Sequence, residues 1–142
     1  MSDFKFHLAI PVRDLKETRE FYVGILGASE GRSNESWVDF NFFGHQLVAH
    51  LGDPNSKAPG AIENLVDGDL VSVPHFGVIF DEIGWKAIID KLKESNWPFE
   101  LDPHIRFKGL PGEQWTMFLR DPSGNSLEFK FFENSDQIFA SE

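Results

Sequence analysis

The chain of 142 residues contains no cysteine. That absence excludes disulfides, thiolate nucleophiles, zinc-finger clusters and iron–sulfur centres. Tyrosine is almost missing, with Tyr22 alone against 15 phenylalanines. Positive charge is scarce: 13 Lys and Arg stand against 23 Asp and Glu, a formal net charge of −10. So acidic a chain repels phosphate backbones, so nucleic acid is not an expected partner, whereas cationic ligands and metal ions are attracted. No run reaches the roughly 18 apolar residues of a membrane helix. The first residues, Met-Ser-Asp-Phe-Lys, lack the apolar core of a signal peptide. A cytoplasmic protein without membrane attachment is therefore expected. With 41% hydrophobic and 25% charged residues, the composition suits one globular domain with a real core.

Along the chain, Phe4, Phe6, Leu8 and Ile10 alternate with Lys5, His7 and Ala9, which predicts a strand over 4–11. Asp14 and Glu17 form a capping-box-like start to a helix. Its stripe is Leu15, Thr18, Phe21, Tyr22, Ile25 and Leu26, and Gly27 suits its end. A short strand near 29–32 precedes two strands, 37–43 and 45–51, joined tightly at Gly44. Residues 53–71 are polar and turn-forming, and read as a linker, as a flexible lid or as plain disorder. The order then restarts: a strand over 73–80, a helix from near Asp81 carrying Trp85, Ile88, Ile89 and Leu92, and strands over 99–102, 114–119 and 126–132. The turn signal Asp121-Pro122-Ser123-Gly124-Asn125 separates the last two. The acidic tail from Glu133 is expected to fray.

Each half thus reads strand, helix, three strands, and the spacing supports a duplication. Asp14 lies seven residues after His7, and Asp81 six after His75. His50 follows Trp37 by 13 residues, and Glu128 follows Trp115 by the same number. On this count His7 matches His75, and His50 matches Glu128. Strand parity puts each of the four opposite its strand's apolar residues, on the face the helices leave uncovered. They are four candidate metal ligands, and an ionised carboxylate among them needs a cation.

Two βαβββ modules, with the motifs Phe6-His7-Leu8-Ala9-Ile10-Pro11-Val12, Phe21-Tyr22 with Leu26-Gly27, Pro74-His75-Phe76 and Asp121-Pro122-Ser123-Gly124-Asn125-Ser126-Leu127-Glu128, resemble the vicinal oxygen chelate superfamily. That superfamily includes glyoxalase I, extradiol dioxygenases, fosfomycin-resistance enzymes and bleomycin-resistance proteins. The pair Phe42-Phe43-Gly44-His45-Gln46 and Pro111-Gly112-Glu113-Gln114 resembles a glyoxalase-like subgroup. The resemblance implies an α+β fold, with two βαβββ modules forming a curved mixed sheet and helices on its outer face. The chain would be a single domain, 1–142, of two repeats at about 4–52 and 72–132 joined by a linker at about 53–71. It also implies metal ligands at His7, His75 and Glu128, a two-His-one-carboxylate set that suits Fe2+ or Mn2+, with Zn2+ or Ni2+ as alternatives. The implied activity is that of a metal-dependent glyoxalase- or dioxygenase-like enzyme on a small substrate that chelates through vicinal oxygens. The alternative is a non-catalytic binding protein of the bleomycin-resistance type. Superfamily members commonly pair as homodimers.

Glyoxalase I has a glutamate where His50 is placed here, so His50 is a candidate either for the metal or for acid–base catalysis. The substrate tyrosine of extradiol dioxygenases has no counterpart, because Tyr22 falls on the helical stripe and reads as core. Gln46 and Lys130 read as substrate contacts or as a solvated polar face. Trp37 and Trp115 read as pocket walls or as sheet packing, and Arg106 as an anion contact or a surface charge. His45 reads as structural or exposed, and His104 as a loop residue or as an acid or base.

Overall fold

The computed structural model describes residues 3–53 and 61–142. These residues divide into two compact units, one of 3–53 with Asp121–Asn125, the other of 61–120 with Ser126–Glu142. The fold is α+β.

In the first unit, β1 (His7–Val12) leads to α1 (Leu15–Arg19), which continues without a break as a π-helical turn over Glu20–Ile25. The strands β2 (Ser29–Ser33), β3 (Trp37–Phe42) and β4 (His45–Leu51) follow. The sheet order is β1-β4-β3-β2, with β1 parallel to β4 and the other pairs antiparallel. Asp14 caps α1 by accepting from the Glu17 amide at 2.8 Å. Only half of the capping box forms, because the Glu17 carboxylate turns to Arg13 instead. The β3–β4 turn places Phe43 and Gly44 at φ 51° and 91°, the mirror-image turn that suits the twist of a hairpin.

Tyr22 is fully buried and in ring contact with Phe21, Phe40 and Phe42. Its hydroxyl donates to Asp121 Oδ2 at 2.9 Å. Asp121 is otherwise satisfied inside its own turn by the amides of Ser123 and Asn125. Burial pushes the Asp121 carboxyl up, and the same cause pushes the Tyr22 hydroxyl well above its ordinary range.

In the second unit, β5 (Ile62–Val66) and β6 (Asp69–Val73) form a hairpin around Asp67-Gly68. Both turn residues have positive φ, 46° and 84°. An Asp-Gly between two alternating apolar runs is a strong hairpin signal, so this stretch is structured where a linker or lid is the sequence expectation. Residues 54–60 of that expected linker lie outside the described residues.

The strand β7 is only Ile79–Phe80, with a single further bridge from Phe76 to Leu127. The strand expected over 73–80 is thus broken. Around Gly77 the two backbones meet so closely that a Cβ there would lie 1.5 Å from the Glu128 carbonyl oxygen. Helix α2 (Glu82–Glu94) is capped by Asp81 and buries Trp85, Ile88 and Leu92. The strands β8 (Leu101–Arg106), β9 (Gln114–Arg120) and β10 (Ser126–Phe131) complete the sheet β7-β10-β9-β8. Met117, Phe118, Leu119, Leu127 and Phe129 are buried to 1% exposure or less, so the β9–β10 pair forms the centre of this core. Gln137, in the short 3-10 turn Ser135–Gln137, accepts from the Gly112 amide, which ties down part of a tail expected to fray.

Candidate functional site

Glu128, in the middle of β10, is 5% exposed. A buried carboxylate must be matched by donors or cations. Here Oε2 accepts from Thr116 Oγ1 and from Arg106 Nη1 at 3.1 Å. Oε1 faces His75 Nε2 at 3.1 Å and Lys130 Nζ at 3.8 Å. Burial alone would raise the Glu128 pKa. The hydrogen bonds from His75 and Thr116 and the charges of Lys130 and Arg106 outweigh it, so the carboxyl sits below its ordinary value.

His75 stands just before the close approach at Gly77. Its Nδ1 donates to the Ser72 carbonyl at 2.6 Å, and its ring meets Phe118 edge-on at 5.1 Å. Both ring nitrogens therefore face oxygen acceptors. Either each carries a proton, or Nε2 holds a cation in place of one. The hydrogen bond to Glu128 raises the His75 pKa above its ordinary value, against the opposing effect of burial. His75, Glu128 and Lys130 line a cavity of about 220 Å³ together with Phe76, Gly77, Val78 and Ile79.

Two of the expected donors stand close enough together to share a divalent cation. One imidazole nitrogen and one carboxylate oxygen lie 3.1 Å apart, a spacing that adjacent ligands at about 2.0–2.2 Å from a cation can span. The Ser72 carbonyl behind His75 and the Thr116 and Arg106 donors behind Glu128 fix both side chains from the side away from their mutual contact. Among the described residues, no group of three His, Asp or Glu side chains is arranged to hold an ion.

The other expected site residues fall as follows. His7 is exposed in β1, and its Nδ1 donates to Gln46 Oε1 at 2.8 Å, which leaves Nε2 unengaged by that bond. Gln46 is thus the orienting partner of His7. His50 is exposed and pairs with Trp37 across the hairpin. Trp37 is half-buried, with the Arg32 guanidinium 6.0 Å from its ring. Trp115 donates to Glu133 at 3.4 Å. His45 is structural, its Nδ1 accepting from the Phe6 amide at 3.0 Å.

Two expectations change. Arg106 is no surface charge: it is 3% exposed and bound to Glu128 and Asp69. His104 is not in a loop: it lies in β8, donating to the Asp102 carbonyl at 2.6 Å and facing Asp69 Oδ2 at 2.7 Å.

The match of His50 to Glu128 also fails on register. In the first unit β4 runs beside β1 with Val48 next to Ala9 and His50 next to Pro11, two and four residues after His7. In the second, Lys130 stands beside Ile79, four residues after His75, and Leu127 beside Phe76. Counted from the two histidines, Val48 holds the place of Glu128, and His50 that of Lys130. The equal spacing of 13 misleads because the β3–β4 hairpin turns tightly at Phe43-Gly44, whereas β9–β10 turns through Asp121–Asn125. Trp37 pairs with His50, but Trp115 pairs with Phe131.

Asp69, Ser72 and Thr116 are the residues that sequence reasoning missed. The usable signal for the first two was the Asp-Gly turn, which makes 62–73 a hairpin and gives Asp69 and Ser72 fixed places on it.

A family model described as the Glyoxalase/Bleomycin resistance protein/Dioxygenase superfamily matches residues 6–129. A glyoxalase/bleomycin resistance protein/dioxygenase from Alicyclobacillus acidocaldarius, solved by crystallography, is 37% identical over 96% of each chain, with a TM-score of 0.79. The fosfomycin resistance protein FosX of Mesorhizobium loti is 13% identical, with 97% of this chain and 99% of that one covered and a TM-score of 0.66. Lactoylglutathione lyase of Agrobacterium tumefaciens is 17% identical, with 94% and 97% covered and a TM-score of 0.61. These two share the fold; the family model and the closer sequence match carry membership. Together with the βαβββ order of both units, they show that this chain belongs to the glyoxalase/bleomycin resistance protein/dioxygenase superfamily.

Proposed function

We propose that the protein is a metal-dependent, glyoxalase- or dioxygenase-like enzyme for a small substrate that offers two vicinal oxygens. The observation that supports it most is His75 Nε2 facing Glu128 Oε1 at 3.1 Å on the wall of a cavity, with each residue held from behind. Ser72 fixes the His75 ring so that Nε2 points at the carboxylate. Thr116 and Arg106 occupy Oε2 and so reserve Oε1. When bound, a divalent cation such as Fe2+ or Mn2+ supplies Lewis-acid stabilisation of negative charge on a substrate oxygen. Lys130, on the same cavity, adds a positive charge that suits an anionic substrate oxygen. His7 is the third ligand of this proposal, on its matched place in the repeat. His50, in the place of Lys130, is assigned to the substrate, as an acid–base group.

The test is metal analysis of protein purified without a chelating tag. We expect about one divalent ion per chain, most of it lost in His75→Ala, with activity abolished by chelation and restored by the metal. Full metal content in a His7→Ala, His75→Ala, Glu128→Gln variant would refute the assignment. A second reading, a metal-free binding protein, is favoured by one observation: Arg106 already neutralises Glu128. It predicts ligand affinity that survives chelation. In either case we propose a homodimer, the commonest symmetric assembly.

A further inference from the structure

Arg106 is held in an unusual way for a buried arginine. Its Nη1 donates to Glu128 Oε2 at 3.1 Å, its Nη2 to Asp69 Oδ2 at 3.0 Å, and its Nε, also buried, has no hydrogen-bond partner. A guanidinium beside a single carboxylate closes on both oxygens with two parallel N–H bonds. Here the fork is split between two carboxylates, one in β10 and one in the β5–β6 hairpin.

We propose that Asp69 is a positioning residue for Glu128. By holding Nη2, Asp69 keeps Arg106 to one bond on Oε2 and leaves Oε1 to His75 and the cavity. Asp69 is itself steadied by His104 Nε2 at 2.7 Å, and its position follows from the turn at Asp67-Gly68. Asp67 anchors that turn by accepting from the Phe107 amide at 2.7 Å, next to Arg106 in sequence. Without Asp69, the free arm of the guanidinium swings to Oε1 and the carboxylate is closed to any other cation. The functional weight of this arrangement rests on the reading of Glu128 as a metal ligand; the split fork does not.

The experiment compares wild type with Asp69→Ala, Asp69→Asn and Asp69→Glu, using Mn2+ alone as the probe and the resonance signal of the free ion as readout. Asp69→Ala and Asp69→Asn should weaken Mn2+ binding at least about tenfold, the scale of outer-partner losses at metal sites, and Asp69→Glu should recover most of it. Asp69→Asn changes no volume, so it serves if Asp69→Ala does not fold. Lower melting temperatures with unchanged Mn2+ affinity in both charge-removing variants would make Asp69 merely structural and overturn the proposal. The crystal structure of the metal-free Asp69→Ala protein, in which residue 69 can no longer accept from Nη2, gives a readout independent of metal. Arg106 on both oxygens of Glu128 supports the proposal, and Arg106 still on Oε2 alone overturns it. If wild type binds no Mn2+, the metal reading falls and that structure decides the positioning role by itself.

Discussion

Glu128 shows how much a single residue's neighbours matter. Its identity as a carboxylate opposite an apolar strand face is readable from alternation, but its donors come from β8, β9 and the stretch before Gly77. The His104–Asp69 pair gives a residue-level prediction. Burial lowers the His104 pKa, but the bonds to the Asp102 carbonyl and to Asp69 more than reverse it, so the folded value is raised. Asp69 is lowered, its bonds to Arg106 and His104 outweighing burial. A raised histidine stabilises the fold fully below about pH 6.5 and loses that contribution as pH rises through the folded value. A lowered aspartate contributes above about pH 3.9 and loses it as pH falls through its folded value. The pair is thus strongest in mildly acidic solution. In metal-free protein, the melting temperature of wild type should fall relative to His104→Gln between about pH 6 and about pH 8. A difference between the two that stays constant over that range would show that His104 does not titrate with folding.

At the scale of elements, the informative place is the break between β6 and β7. Apolar alternation from Val73 to Phe80 reads as one strand, yet Pro74 and Gly77 interrupt it, and the backbone of β10 fills the space a side chain at 77 would take. Gly77→Ala should cost upward of about 3 kcal/mol, because the obstructing atom is backbone and cannot rotate away. The cost would appear as a lowered urea midpoint, with disturbed binding at His75 and Glu128 on either side of the contact. A variant that unfolds at the wild-type midpoint would mean the two backbones part easily. The helices were the more legible elements. Asp14 and Asp81 cap them as their spacing from the following turns suggests, and Trp85, Ile88 and Leu92 bury the expected stripe. Local signals sufficed there because a helix closes its own hydrogen bonds within one turn.

For the whole molecule, the homodimer predicts sedimentation at twice the chain mass at micromolar concentration. A monomer alone under those conditions would exclude it. The helices with their caps and stripes, and most strands of the two βαβββ runs, could be read from the chain, since each depends on residues a few positions apart; the 62–73 hairpin and the break at Gly77 could not, and Phe4 and Phe6 of the expected first stripe are exposed. Family membership could be read as well, because its motifs are short and recur in sequence order. What the chain could not supply was register and partnership. His50 and Glu128 sit equally far from a tryptophan, but hairpins with unequal turns place them differently, and only the pairing of strands shows it. Arg106 looks like any surface arginine until β8, β10 and the 62–73 hairpin bring two carboxylates to it. Contacts between residues 22 and 37 positions apart obey no local periodicity. They follow from how the sheet and the hairpin pack, so the chemistry around Glu128 is set by the tertiary fold.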